Sequence, residues 1–84
     1  MVSVRVVYCR PCGYLDRAIK LAKDVLSELG YAGVMVTLVP GSNGVFDVYV
    51  DDKLVFSRHE EKRFPESSEI IGIIKATVTL AKPT

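Results

Sequence analysis

Val2-Ser3-Val4-Arg5-Val6-Val7-Tyr8-Cys9-Arg10-Pro11-Cys12-Gly13 decides how this chain is read. An apolar, β-branched run ends at Tyr8, and an amphipathic run from Leu15 to Leu29 follows Gly13. The first predicts a strand over Ser3–Tyr8 and the second a helix from about Tyr14. Between them stand both cysteines of the chain, separated by two residues. Cys-x-x-Cys at a strand-to-helix junction reads as a thiol–disulfide redox site.

The chemistry expected of that position follows from the helix. Its first turn carries unpaired N–H groups and the positive end of the dipole. A thiolate on Cys9 would be stabilised there, with Arg10 and Arg17 adding positive charge, so its pKa should fall. Pro11 suits the first helical turn, where its missing N–H has no partner to lose. Cys12 is expected about one turn on, on the same face, so that oxidation closes a tight disulfide. Two other readings stay open. A zinc site needs four ligands, and beyond the two cysteines only His59 is on offer, so a metal would have to be shared between two chains. The cysteines could also be plain buried thiols.

Bulk properties narrow the function classes. With 84 residues, 49% hydrophobic and 25% charged, the chain is expected to form one globular domain over residues 1–84. A net charge of +1, with no basic cluster interleaved with aromatics, gives no reason to expect nucleic acid. No apolar run approaches the roughly 20 residues of a membrane helix, and the residues before the motif are too few for a signal peptide. A cytoplasmic setting is expected, where a close-set cysteine pair is more often catalytic than structural.

The remaining elements can be read in order. Leu15, Ala18, Ile19, Ala22, Val25, Leu26 and Leu29 form the expected apolar face of the first helix. Asp16 and Lys20 form an i,i+4 pair on its charged face, and Gly30 caps its end. Val34–Val39 is a second strand, parallel to the first by a right-handed crossover. Pro40–Gly44 reads as a loop. Val45–Val50 and Lys53–Ser57 are strands joined at Asp51-Asp52, and Arg58–Glu66 is a charged loop. The last stretch is ambiguous, because its β-branched content and Gly72 favour a strand. The spacing of Ile70, Ile71, Ile74, Val78 and Ala81 favours a helix beginning near Pro65, and a helix is the reading adopted.

The resulting order, β-α-β-β-β-α, is the minimal thioredoxin-like arrangement. It is an α+β fold with a four-stranded mixed sheet ordered 2-1-3-4 and both helices on one face. The 40–44 and 58–66 loops then flank the cysteines, while the 51–52 hairpin and Gly30 lie at the opposite end. Strand parity turns Val4, Val6, Val36, Leu38, Phe46, Val48, Leu54 and Phe56 toward the helices. Arg5, Val7, Met35, Thr37, Val39, Asp47, Tyr49 and Val55 face away. That second face is uncovered and half apolar, which suggests a homodimer or partner surface.

Val4-Arg5-Val6-Val7-Tyr8-Cys9-Arg10-Pro11-Cys12-Gly13-Tyr14 resembles the opening of selenoprotein W and its relatives, the Rdx family. The likeness continues through Gly44-Val45-Phe46-Asp47-Val48-Tyr49-Val50, Lys53-Leu54-Val55-Phe56-Ser57 and Arg63-Phe64-Pro65-Glu66. It covers nearly the whole chain, and the ordered set of segments carries it. The resemblance implies a thioredoxin-like fold and a thiol-based oxidoreductase working with glutathione or thioredoxin systems. Cys12 stands where selenium-containing members carry selenocysteine, which implies that Cys12 reacts and Cys9 resolves. Thioredoxin logic, applied to the residues alone, makes Cys9 the attacker instead. Two features depart from ordinary thioredoxins: Tyr8 precedes the motif where they carry Trp, and no proline immediately precedes Val45 where they place a cis-proline.

The candidate site residues are therefore Cys9 and Cys12 as the catalytic pair, supported by Arg10, Pro11 and Gly13. Ser42, Asn43, Gly44, Arg58 and His59 are possible substrate-facing residues, and no metal ligands are assigned. Two functions compete. The leading one is a small oxidoreductase whose dithiol reduces a disulfide, sulfenate or peroxide. The chain has no room for a flavin or nicotinamide site, so no cofactor is expected and electrons come from a glutathione or thioredoxin system or a redox protein partner. The other is a non-catalytic binding module that uses the open sheet face, its cysteines serving as a redox switch or a metal clip between two chains.

Overall fold

The computed structural model describes residues 2–81, apart from the side chains of residues 31 and 78–81. The strands are β1 (Ser3–Cys9), β2 (Met35–Gly41), β3 (Phe46–Val50) and β4 (Lys53–Ser57). The helices are α1 (Leu15–Leu29), a short α2 (Arg58–Glu61) and α3 (Ser67–Ala81). The sheet order is β2-β1-β3-β4, with β1 parallel to β2 and antiparallel to β3. The expected topology is therefore the observed one.

β1 is central because both of its neighbours pair with it along most of its length. Val4 faces Val36 and Val50, and Val6 faces Leu38 and Val48. Directly opposed residues share a face, so these positions form the floor of the core. Val4, Val6 and Val48 are fully buried there. Ala18, Leu21, Val25 and Leu29 of α1 and Ile70 and Ile74 of α3 cover them from one side. Each large aliphatic side chain buried in this way contributes roughly 2 kcal/mol. Burial of Ile70 and Ile74 decides the ambiguous last stretch: their i,i+4 spacing puts both against the core on one face of α3. Val78 and Ala81, which completed that spacing, lie outside the residues whose side chains are described.

Several local expectations are corrected. The buried face of α1 includes Leu21, while Leu15, Ile19 and Leu26 stay exposed. The i,i+4 ion pair on α1 is Lys20–Asp24, at 2.9 Å, rather than Asp16–Lys20. Gly30 is right-handed and continues into a 3₁₀ turn; the left-handed residue that stops it is Gly33, at φ 82°. β2 runs on through Pro40 and Gly41, shortening the expected loop, and β3 starts one residue late, at Phe46. The 58–66 segment is not all loop, because α2 opens it and Lys62 ends α2 at φ 62°. The β3–β4 ladder skips Val55 between the Val48–Phe56 and Tyr49–Leu54 pairs. That bulge puts Leu54 on the open face beside Tyr49 instead of toward the helices.

The turn at Asp51-Asp52 holds both residues at positive φ, 50° and 70°. Asp tolerates this better than most residues, and the conformation matches strand twist in a two-residue hairpin. Asp51 also ties the far end of the sheet: its N–H donates to the Ser3 carbonyl, and its carboxylate accepts from the Ser3 N–H.

Candidate functional site

The two cysteines are joined by a disulfide, with Cα atoms 5.3 Å apart. Their environments differ. Cys9 is the last residue of β1 and is fully buried, while Cys12 is exposed. The expectation that Cys9 opens α1 with Cys12 about one turn on is corrected. Residues 10–13 form a turn closed by the Gly13 N–H donating to the Arg10 carbonyl, at 3.2 Å. Gly13 takes φ 81°, which favours glycine. α1 begins only at Leu15, so Pro11 sits in the turn and not at the first helical position.

The reason is the register of β1. Cys9 pairs with Gly41, and the Arg10 N–H then donates to the Gly41 carbonyl at 3.1 Å. The ladder thus holds the chain extended one residue past Tyr8, and strand alternation places Cys9 on the face it shares with Val7, opposite Tyr8, where it is fully buried. The chain must then reverse before a helix can start, and Arg10–Gly13 is that reversal. Tyr14 closes the junction, its N–H donating to the Cys9 carbonyl and its own carbonyl accepting from Ala18.

Gly41 is a functional neighbour that the sequence reading placed only in a loop. A Cβ there would lie 2.9 Å from Val45 Cγ1 and 3.2 Å from Val7 Cγ1. Any larger residue here would have to push the Val45 and Val7 side chains aside. The signal was a glycine directly after a strand proline, in a segment parallel to the motif strand.

Of the remaining candidates, Arg10, Pro11 and Gly13 all belong to the turn, with Arg10 exposed. Ser42, Asn43 and Gly44 form a tight turn between β2 and β3, with Val45 N–H donating to Ser42 O and positive φ at Asn43 and Gly44. Arg58 is brought to this turn, and its Nη1 donates to the Gly44 carbonyl at 3.4 Å. Its guanidinium also lies over the ring of Tyr14, 5.4 Å from the centroid, and over that of Phe64 at 5.1 Å. His59 borders Gly44 as well. Tyr14, Gly44, Arg58 and His59 therefore form one cluster built from three separate segments.

Phe64 is the hub that sequence reasoning missed. It meets Tyr14 and Phe46 edge-on at 4.9 and 5.4 Å. Arg17 caps it at 4.1 Å, so this cation stacks on an aromatic face. The segment after Phe64 is fastened by Glu69, whose carboxylate accepts two bonds from Arg63 (2.6 and 3.0 Å) and one from the Glu66 N–H. These bonds, the Arg63 guanidinium first, lower the Glu69 pKa to about 2. Among the described residues, no group of three or more His, Cys, Asp or Glu is placed to hold a metal ion. None of the described helices is long and apolar enough to cross a membrane.

A strand, a Cys-x-x-Cys turn and a helix in this topology agree with the family comparison: the Rdx family model matches residues 3–76. The chain belongs to the Rdx family. Its relatives include selenoprotein W of Macaca mulatta, 28% identical over 82 residues, which covers 92% of this chain and 94% of that protein. Migration and invasion enhancer 1 of Mus musculus is 32% identical over 74 residues, 88% of this chain. The match takes in 63% of that protein, so the chain spans less than two thirds of this relative's length. The crystal structure of a selenoprotein W-related protein from Vibrio cholerae superposes with a TM-score of 0.86 at 22% identity, over 92% of this chain and 96% of that one. This last likeness is one of fold. Membership of the Rdx family places the Cys9–Cys12 pair in a generally redox-related setting.

Proposed function

We propose that this Rdx-family protein is a thiol–disulfide oxidoreductase in which Cys12 attacks and Cys9 resolves. The observation that carries the reading is the asymmetry of one bonded pair, an exposed sulfur at Cys12 and a buried one at Cys9. A thiolate must be reached to attack, and only the outer sulfur is open to a bulky partner. Cys12 also lies just before the free N–H groups of α1, where Tyr14 supplies no side-chain cap, so a negative sulfur is favoured there.

The cycle balances with two electrons. In the reduced protein the Cys12 thiolate attacks one sulfur of a substrate disulfide, and the other sulfur leaves as a thiolate. The Cys9 thiolate then attacks the Cys12 sulfur, releasing the second substrate thiol and forming the Cys9–Cys12 disulfide. Two thiols of a glutathione or thioredoxin system reduce that disulfide and are themselves oxidised to a disulfide. With a peroxide, the Cys12 thiolate takes the terminal oxygen as the O–O bond breaks and the other oxygen leaves as water or an alcohol; the Cys9 thiol then condenses with the resulting Cys12 sulfenic acid, forming the disulfide and releasing water. Arg58, gathered with His59 at Gly44, supplies a cation for an acidic thiol such as glutathione.

Trapping tests the assignment. Reduced Cys9→Ser protein mixed with oxidised glutathione should accumulate a stable mixed disulfide on Cys12, while Cys12→Ser should accumulate little. The reading fails if Cys12→Ser traps as well as Cys9→Ser, or if the wild-type disulfide resists reduction by both glutathione and thioredoxin.

A further inference from the structure

The outer edge of β2 carries neither a charge nor a bulge. Its sequence, Met35-Val36-Thr37-Leu38-Val39-Pro40-Gly41, contains no charged residue. Edge strands are usually protected by lysines, prolines, inward charges, bulges or covering segments, and of these β2 carries only Pro40, next to its last residue. The other edge, β4, has such protection, with Lys53 and the bulge at Val55. Among the described residues nothing pairs with the outer side of β2, because β1 is its one neighbour in the sheet.

The backbone groups pointing outward can be identified. The Met35 N–H donates to the Val2 carbonyl, and the Gly41 carbonyl accepts from Arg10, so both face β1. Strand alternation puts Thr37 and Val39 with them and turns Val36, Leu38 and Pro40 outward. Pro40, which has no N–H to offer, thus occupies an outward position, as strand prolines do at edges. The free donors and acceptors are those of Val36 and Leu38.

An apolar stripe on α1 lies on the same side. Leu15, Ile19, Ala22 and Leu26 fall within an arc of about 60° on a helix turning 100° per residue. Leu15, Ile19 and Leu26 are 41%, 48% and 45% exposed. The opposite flank of α1 carries Asp24 and Glu28, which border a groove against α3 with Ser67, Ile71 and Lys75. The Ser67 hydroxyl donates to Asp24 at 2.5 Å across it. With α3 on that flank and the sheet below, the stripe overhangs the β2 side.

We propose that two copies of this chain pair antiparallel through β2, about a two-fold axis at Thr37. In that register Val36 of each copy exchanges both backbone hydrogen bonds with Leu38 of the other, which uses every free outward N–H. On the open face Met35, half exposed in the single chain, meets Val39 of the second copy. Thr37 meets Thr37, a favourable cross-strand pair. Because α1 runs antiparallel to β2, the two α1 helices also lie antiparallel, stripe to stripe. A second copy is the occupant argued for because the symmetry that matches the strand with itself brings an identical apolar stripe over the same edge. An unrelated extended peptide would cover the strand and leave the stripe in water. The joint eight-stranded sheet leaves the two disulfides opening at opposite ends.

The test is sedimentation velocity on the 84-residue chain under reducing conditions, from about 1 µM to about 500 µM, within the range of moderate homodimer affinities. Wild type should shift from monomer to dimer across that range. Thr37→Lys, which puts like charges opposite each other on the axis, should weaken the dimer at least about tenfold. Ile19→Lys changes an exposed residue, so the monomer folds, and it should weaken the dimer comparably. Leu54→Lys, on the open face at the far edge, is the control and should leave the dimer intact. A wild-type chain that stays monomeric throughout overturns the proposal. So does a dimer that Thr37→Lys and Ile19→Lys leave unchanged, or one that Leu54→Lys disperses instead.

Discussion

Cys9 and Cys12 are chemically identical, three positions apart and bonded to each other, yet one is fully buried and the other exposed. The difference lies in the backbone on either side. Cys9 is held by the β1–β2 ladder opposite Gly41, so its sulfur is fixed where water does not reach. Cys12 is carried by a four-residue turn that the ladder has already released. The sheet thus makes two unlike thiols out of a symmetric motif.

The contrast can be broken experimentally. The largest effect is expected in alkylation of the reduced protein with iodoacetamide, followed by peptide mass spectrometry. Cys12 should react on the order of 100-fold faster than Cys9, because access and thiolate character both favour it. Equal rates would erase the distinction between the two sulfurs. Stability is the next measure. In reduced protein, Cys9→Ser puts a hydroxyl in a buried apolar site and should cost about 2 kcal/mol in urea unfolding. Cys12→Ser, at the surface, should stay within about 0.5 kcal/mol of wild type.

Gly41→Ala sharpens the comparison from the neighbouring strand. The new methyl would crowd the Val45 and Val7 side chains, both of which can give way a little, so a cost of about 1 kcal/mol is expected. Cys9 should also become more accessible to alkylation, narrowing the rate ratio with Cys12. The smallest effect is set by Glu69, which touches neither sulfur. Its folded pKa of about 2 lies below its ordinary 4.5, so the unfolded chain binds more protons between those values. The stabilisation is complete above about pH 4.5 and is lost as pH falls toward 2. Glu69→Gln should flatten that part of an acid unfolding curve while leaving the cysteine rate ratio at neutral pH unchanged.

The redox motif, the element order and the sheet order were legible in the chain itself, for definite reasons. Val4 and Val6 alternate with period two. The long amphipathic run between two β-branched strands forces a parallel crossover, and Asp51-Asp52 separates two strands too closely for anything but a hairpin. The family resemblance was legible in the same segments. Less legible was which apolar residues of α1 would be buried. Leu15, Ile19 and Leu26 are as hydrophobic as Leu21 and Leu29, and periodicity alone does not say how far a helix rolls on its sheet. Arg58 and His59 were noticed in the sequence, but their meeting with Gly44 and Tyr14 depends on α2, a single turn too short to leave a periodic signal.

The sequence by itself determined that two thiols would meet between a strand and a helix, because spacing and local periodicity are properties of neighbouring residues. Tertiary structure alone decided which thiol is hidden, where the helix begins and which strand edge stays open. Those depend on register between distant segments: Cys9 is held at its place by pairing with Gly41, 32 residues later in the chain.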